Sequence, residues 1–307
     1  MVLRINLITH LFGNLGENNM GNFVRLSPVD GRDGSYGSGF FSNYRITLES
    51  LIVNDRRTDG VIPYVDWGDT IWVEGYNPFV SNILIKKENP FDFWFDQIIP
   101  TNDDIVFEEN LFYRHRIINH MIDYSGLNYK NELTHQRFID SKYLKPKQFL
   151  IDKVDEIYNT EFDGHIVLGI MARGCEFNYH HPKYGNHTIN DYVDIIKEIL
   201  IIHPEITKLF LVSEDLNYIN ILKENFPSSY FMPDVFRRTD ETIDYMNQNP
   251  LWPNIDTKRE NQNMLLGGEI IIQTKLLGKC DYLIGKHTGI FCGAILWDEK
   301  IKKIYKI

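Results

Sequence analysis

The second half of the chain repeats a single pattern, and that pattern restricts the fold more than any other feature. Short apolar runs alternate with longer stretches of helical period. Gly164-His-Ile-Val-Leu-Gly-Ile-Met171 is apolar, and Ile189 to Ile202 sets Val193, Ile196, Ile199 and Leu200 on one side of a helix. Lys208 to Ser213 is apolar again, followed by a helix over Leu216 to Asn225 and a third strand over Ser229 to Met232. A helix over Gly268 to Leu277 and a strand over Cys280 to Gly285 complete the series. Strands that alternate with helices need crossover connections. The expected class is therefore α/β, with a parallel sheet that presents its ligand groups at the strands' C-terminal ends.

The first half is less regular. Leu3 to Thr9 reads as a strand, and Gly, Asn and Asp residues follow up to about Gly39, with a turn-rich loop over Asp30 to Gly39. Phe40 to Asn54 places Phe41, Tyr44, Ile46, Leu48, Leu51 and Ile52 at helical spacing, and Val61 to Asp66 reads as a short buried strand. Residues 70–130 are rich in aromatics and show no clear period. A chain of 307 residues suits two domains of about 150 residues each. The boundary is expected between Pro146 and Phe162, which divides the chain into 1–155 and 156–307.

Charge and cysteine content remove several function classes. A net charge of -10 argues against a nucleic-acid partner, which needs a basic face to displace counterions. Cys175, Cys280 and Cys292 are odd in number and contain no C-x-x-C pair, so a reducing compartment and no zinc site are expected. The opening MVLRINLITHLFG is too short and polar for a signal peptide, and no run of 18 apolar residues exists. The expectation is a cytoplasmic protein without a transmembrane segment. The sequence leaves the oligomeric state open.

Three segments carry chemistry, each directly after an expected strand. In Gly169-Ile-Met-Ala-Arg173-Gly-Cys-Glu176, an arginine at a strand mouth offers a planar fork of donors that fits a phosphate. The plain alternative is a surface arginine at a strand end. Ser213-Glu214-Asp215 is a polar trio after an apolar strand, and it reads equally as a helix N-cap, with Ser213 capping and the acids complementing the dipole. Asp281-Tyr-Leu-Ile-Gly-Lys286-His287-Thr288-Gly289 opens a helix with a small hydroxyl and free backbone, which suits phosphate but also describes an ordinary strand-to-helix turn.

In order and spacing, these segments resemble the α1,6-fucosyltransferase and protein O-fucosyltransferase superfamily, including nodulation fucosyltransferases. That family shows H-x-R-R-x-D, then T-D-D, then D-[FY]-L-[VI] with a Ser/Thr-rich turn. Here they read Met171-Ala-Arg173-Gly-Cys-Glu176, Ser213-Glu214-Asp215 and Asp281 to Thr288. The resemblance covers roughly residues 160–300, with the helix Glu269 to Cys280 fitting it, and extends to the glycine-rich loop before Phe40.

The resemblance implies a GT-B-like fold, two Rossmann-like domains facing across a cleft, with the first on the acceptor side and the second binding the nucleotide sugar. It implies inversion at the sugar carbon, GDP-fucose as donor, a glycan acceptor and no metal or other cofactor. By position Arg173 matches the arginine on the β-phosphate, and Thr288 or Gly289, beside His287, the turn on the same phosphate. Ser213, Glu214 and Asp215 form the acidic motif near the donor, and Gln273 stands where the family often has a nucleoside-binding aspartate. Gly37 and Gly39 lie in the loop expected to face the diphosphate. Met171, Gly174, Glu176 and Gln273 depart from the family residues. They leave open another nucleotide sugar on the same scaffold, or a catalytically inactive glycan- or nucleotide-binding protein.

The chain has no D-x-D, the carboxylate pair that holds a cation on the diphosphate in many metal-dependent transferases. Charge growing on the leaving group would then fall to Arg173, Thr288 and Gly289. A general base is sought among Glu176, His180 and His181, in a polar, aromatic loop that follows the arginine. Two adjacent histidines can equally be solvated loop residues. Tyr64, Asp66, Trp67 and Trp72 are candidates for stacking on an acceptor sugar, against a role in packing. Arg237-Arg238-Thr239-Asp240 spells R-R-T-D more literally than residues 173–176. It follows the acidic trio instead of preceding it, so it is read as loop that lines the cleft at most.

Overall fold

The computed structural model describes residues 22–26, 40–55, 60–67, 89–100, 105–108, 129–174, 187–239, 259, 261–286, 288–297 and 300–307. The expected strand at Leu3 to Thr9, the glycine loop with Gly37 and Gly39, and Trp72 lie outside them.

In the first half, β1 (Asn22–Leu26) leads to α1 (Phe40–Asn54) and β2 (Ile62–Val65). A short helix α2 (Phe91–Trp94) runs into β3 (Phe95–Asp96), then come β4 (Ile105–Glu108), α3 (Tyr129–Tyr143), β5 (Lys145–Pro146) and α4 (Gln148–Ile157). A π turn over Tyr158–Phe162 extends α4. The sheet order is β2-β1-β4, parallel throughout. β1 lies where only loop was expected. Phe23, Val24 and Leu26 are buried, so a short apolar stretch inside polar sequence is enough to form the central strand.

The second half contains β6 (Val167–Met171), α5 (Ile189–Ile202), β7 (Lys208–Val212), α6 (Leu216–Asn225), α7 (Gln262–Gly278), β8 (Tyr282–Gly285), α8 (Gly289–Leu296) and β9 (Lys303–Lys306). Their sheet order is β7-β6-β8-β9, and every pair is parallel. The expected strand at Ser229 to Met232 shrinks to one bridge between Tyr230 and Phe210. Pro227 and Pro233 flank it and cannot donate to a ladder. β9 was not anticipated from the sequence, because Lys302, Lys303 and Lys306 hide its period; such lysines are what an edge strand carries to discourage further pairing.

Side-chain alternation divides the second sheet between two layers. Leu168, Ile170, Leu209, Leu211 and Ile284 pack with Tyr192, Val193, Ile196 and Ile199 of α5 and with Ile219 and Leu222 of α6. Val167, Met171, Phe210, Val212 and Leu283 turn to the other face, with Ile271, Leu276 and Leu277 of α7 and Val154 of α4. α7 begins six residues before the expected start. Gly267 and Gly268, inside the helix, serve packing: a Cβ on Gly267 would enter the Trp94 ring, and one on Gly268 would lie 3.3 Å from Leu150 Cδ2.

The core around α7 continues into the first half, through Phe40, Tyr44, Leu48, Trp67 and Trp94. Trp67 is fully buried, donates from Nε1 to Thr47 Oγ1 at 3.0 Å and meets Phe40, Phe91 and Trp94 edge-on or tilted. It is a core residue rather than a platform for an acceptor sugar. Asp66 accepts from Arg25 Nε at 2.6 Å, and Tyr64 OH accepts from Asn89 Nδ2 at 3.3 Å. Polar contacts join the halves as well. Trp94 Nε1 donates to Met264 O at 2.8 Å, and Arg137 donates to Ile295 O and Leu296 O at the C-terminal end of α8. Asp140 accepts from Tyr44 OH and from Trp297 Nε1.

Candidate functional site

The chain order of the second sheet locates its crevice. From β6 the chain moves outward to β7 and Tyr230, then returns across β6 to β8 and β9. The connections from β6 and from β8 therefore lead to opposite sides of the sheet, which makes the C-terminal ends of these two strands the switch point where an open parallel sheet receives ligands. Met171 and Gly285, the last residues of those strands, are register partners. Arg173 lies two residues past the first, and Lys286 directly past the second.

Arg173 is held from several sides. Its backbone N donates to Tyr192 OH at 3.4 Å, and Tyr192 OH donates onward to Met171 O at 3.4 Å. Tyr192 comes from the buried face of α5, and burial pushes its phenol well above the usual value, so it stays a neutral donor. The guanidinium Nη1 sits 3.4 Å from Glu214 Oε2, while Glu214 Oε1 accepts from Gly174 N at 3.0 Å. A Cβ at Gly174 would lie 2.6 Å from both Cβ and Oδ2 of Asp215. No side chain fits there without displacing Asp215, which accounts for glycine at this position.

The acidic trio divides its work. Asp215, not Ser213, caps α6, with Oδ1 accepting from Asn217 N at 2.9 Å and Tyr218 N at 3.4 Å. Ser213 Oγ accepts from Asp215 N at 3.1 Å. Both are buried and turned to backbone, so Glu214 is the member that faces Arg173.

Two cations join this site that were not among the expected residues. Arg238 pairs in parallel register with Asp215: its N donates to Glu214 O at 2.8 Å, and Leu216 N donates to its O at 2.9 Å. It is 6% exposed, and burial, then the Arg173 charge, pull its guanidinium down to about 9, still charged at neutral pH. Lys286 is 1% exposed; burial, then the Arg173 charge, lower its pKa too, with Asp191 and Glu214 opposing. Arg237, on the neighbouring position, is buried over the Phe231 ring at 5.2 Å and donates from Nη1 to Val235 O at 3.2 Å. The Arg237-Arg238 pair, expected as loop, is buried beside the sheet and joined to it by one bridge. Lys286 stood in the expected turn, and the literal R-R-T-D pointed at Arg238; the order of the motifs argued it away.

Thr288 caps α8, with Oγ1 accepting from Phe291 N at 3.4 Å, and Gly289 is the first residue of that helix. This end therefore offers backbone N–H groups and the positive pole of the helix dipole. Gln273 is buried in α7 and donates back to Glu269 O at 3.3 Å; no described contact links it to Arg173. Asp281 lies at the opposite end of the sheet, where Oδ2 accepts from Val167 N at 3.0 Å. Glu176, His180, His181 and His287 lie outside the described residues. Among the described residues no group of three or more His, Cys, Asp or Glu is placed to hold a metal ion, and no helix is long and apolar enough to cross a membrane.

No protein-family model matches the sequence, and no curated protein sequence matches it significantly. Solved structures do. The chain is similar to a NodZ alpha-1,6-fucosyltransferase soaked with GDP-fucose, at 15% identity and a TM-score of 0.51, over 91% of this chain and 93% of that one. The same enzyme co-crystallised with GDP aligns at 16% identity and a TM-score of 0.51, over 91% and 93% of the two chains. NodZ from Bradyrhizobium aligns at 15% identity and a TM-score of 0.50, over 91% and 94%. Over nearly its whole length, the chain has the fold seen in the NodZ fucosyltransferase structures.

Proposed function

We propose that the chain is an inverting glycosyltransferase that moves fucose from GDP-fucose to a glycan hydroxyl without a metal ion. The observation that carries this reading is Arg173, two residues past β6 at the switch point between β6 and β8, with its guanidinium beside Glu214. Its fold neighbours were crystallised with GDP-fucose or GDP, which supports the choice of nucleotide. Residues 156–307 form the donor side in this reading and residues 1–155 the acceptor side across a GT-B-like cleft, with Gly37 and Gly39 in a loop that meets the donor diphosphate. Arg173 binds the diphosphate as a fork, while Thr288 and the N–H groups that open α8 stabilise charge on the leaving oxygen. Glu176, His180 or His181 takes the acceptor proton.

The test is a binding and hydrolysis screen of GDP-, UDP- and CMP-sugars on the wild type and Arg173→Ala. Losing a charge-assisted contact costs about 1.5–3 kcal/mol, or roughly 10- to 150-fold in affinity. GDP binding no better than UDP, or unchanged by the substitution, would overturn the reading.

A further inference from the structure

Arg237 is 8% exposed and uses only part of its hydrogen-bonding capacity. Nη1 donates to Val235 O at 3.2 Å, and the guanidinium lies over the Phe231 ring at 5.2 Å, so its plane is fixed. Nε and Nη2, both buried, have no hydrogen-bond partner among the described residues. They form one edge of the planar fork, and their N–H bonds point the same way. This edge lies past the end of β7 and beside α7. Tyr230 bridges to Phe210 within β7 and Arg238 to Asp215 beyond it, while Phe236 N donates to Glu269 Oε2 of α7 at 3.3 Å. What the edge lacks is acceptors rather than charge. Burial pulls the Arg237 guanidinium down and the Glu269 charge opposes it, yet the Glu269 carboxylate is engaged by Arg259 at 2.6 and 3.3 Å and by Phe236 N. Gln273, one turn further along α7, turns its amide nitrogen back to Glu269 O at 3.3 Å. An interior position of this kind suits a flat, neutral ring better than a phosphate, whose water shell would have to be stripped.

We propose that Arg237 determines the base of the donor: Nε and Nη2 donate to O6 and N7 of guanine, and this pair selects GDP over other nucleoside diphosphates. The proposal rests on the glycosyltransferase reading above and adds the residue that sets its nucleotide. Guanine presents O6 and N7 side by side, the pair that an arginine reads bidentately. Adenine sets an amino donor beside N7, and uracil has an N–H between its two oxygens, so neither meets two donors with two acceptors. Cytosine, with O2 beside N3, is the competitor that the experiment must separate. Phe231 and Val235 O hold the fork before the base arrives, so little ordering is lost on binding. The base also satisfies two buried donors that are costly to leave unmatched.

The experiment is calorimetric titration of GDP, 7-deaza-GDP, ADP, UDP, CDP and inorganic pyrophosphate into the wild type, Arg237→Gln and Arg237→Lys. 7-Deaza-GDP replaces N7 by C–H, so it tests the contact without altering the protein, and this arm decides even if a variant fails to fold. The wild type is expected to bind 7-deaza-GDP about 10-fold or more weaker than GDP, and the other nucleotides about 10- to 100-fold weaker. Arg237→Gln should weaken GDP by a similar factor, leave pyrophosphate within a few-fold, and bind GDP and 7-deaza-GDP equally. Arg237→Lys keeps the charge without the fork and should lose the same discrimination. A merely structural arginine would leave the difference between the two guanine nucleotides intact in both variants, and that result refutes the proposal. If the wild type prefers GDP to UDP yet binds 7-deaza-GDP as tightly as GDP, the proposal is refuted while the glycosyltransferase reading stands. CDP bound as tightly as GDP refutes the choice of guanine. A wild type that binds pyrophosphate without preference among the nucleotides, or binds none of these ligands, overturns the nucleotide-sugar reading and the proposal with it.

Discussion

Gly174→Ala offers a sharp test of how the crevice is built. The new Cβ would lie 2.6 Å from Asp215 Cβ and Oδ2, about 1 Å inside a normal carbon contact. Asp215 is buried, and its carboxylate caps α6, so it has little room to yield. Displacing it weakens the cap, at about 1 kcal/mol. It also disturbs the hydrogen bond from Gly174 N to Glu214 Oε1, and a bond to a charged group is worth about 1.5–3 kcal/mol. Neither is lost in full, so the expected destabilisation is about 2–3 kcal/mol, or a fall in Tm of roughly 4–10 °C. Thermal unfolding followed by circular dichroism reads this directly. A double-mutant cycle with Asp215→Gly, which removes the colliding Cβ, should be strongly non-additive, the double variant being little worse than Asp215→Gly alone. A Tm for Gly174→Ala within about 1 °C of wild type, or additive effects, would refute the packing argument.

Two more outcomes can be checked by denaturation. Burial raises the Asp140 carboxyl above its ordinary value, partly opposed by Tyr44, Lys275 and Trp297. An acid whose folded pKa exceeds the unfolded value of about 3.9 costs stability as pH rises through that interval. In urea unfolding the penalty of Asp140→Asn should therefore be largest at acid pH and shrink as pH rises; a penalty that grows would contradict the buried environment. Trp67→Ala, at a site now known to be core, should cost about 3–5 kcal/mol of unfolding free energy, and a variant as stable as wild type would reopen the acceptor role.

The helices α1, α5 and α6 were legible to the residue, because their apolar residues recur at helical spacing in the sequence. Thr188 and Asp191 form a capping box at the start of α5, and Asp215 caps α6. Elements whose signal depends on distant partners were not legible. β1 is a few apolar residues in polar surroundings, β9 is masked by lysines, and the first turns of α7 pass through Gly267-Gly268, whose packing partner Trp94 lies far away in sequence. The site divides in the same way. The place of Arg173 at the mouth of β6 was recognisable from the apolar run before it. Arg238 was not, since its place beside Arg173 comes from a parallel bridge to Asp215 that no local pattern records. Tyr192 looked like one more apolar position of α5, and its hydroxyl contact with the Arg173 turn appears only when helix and sheet are packed.

The way α7 is shared bears on how this chain folds. Trp94 reaches Met264 across 170 positions, and Arg137 reaches Leu296 across 159. Contacts at such separation close late, because a long loop must be brought together before it is rewarded. During synthesis the first half would wait with Trp94, Phe40 and Tyr44 uncovered until α7 and α8 have been made. A fragment cut at residue 156 would part Leu150 and Val154 from the helix they cover. The second half, produced alone, is therefore expected to aggregate through the exposed flank of α7, and coexpression with the first half should recover it.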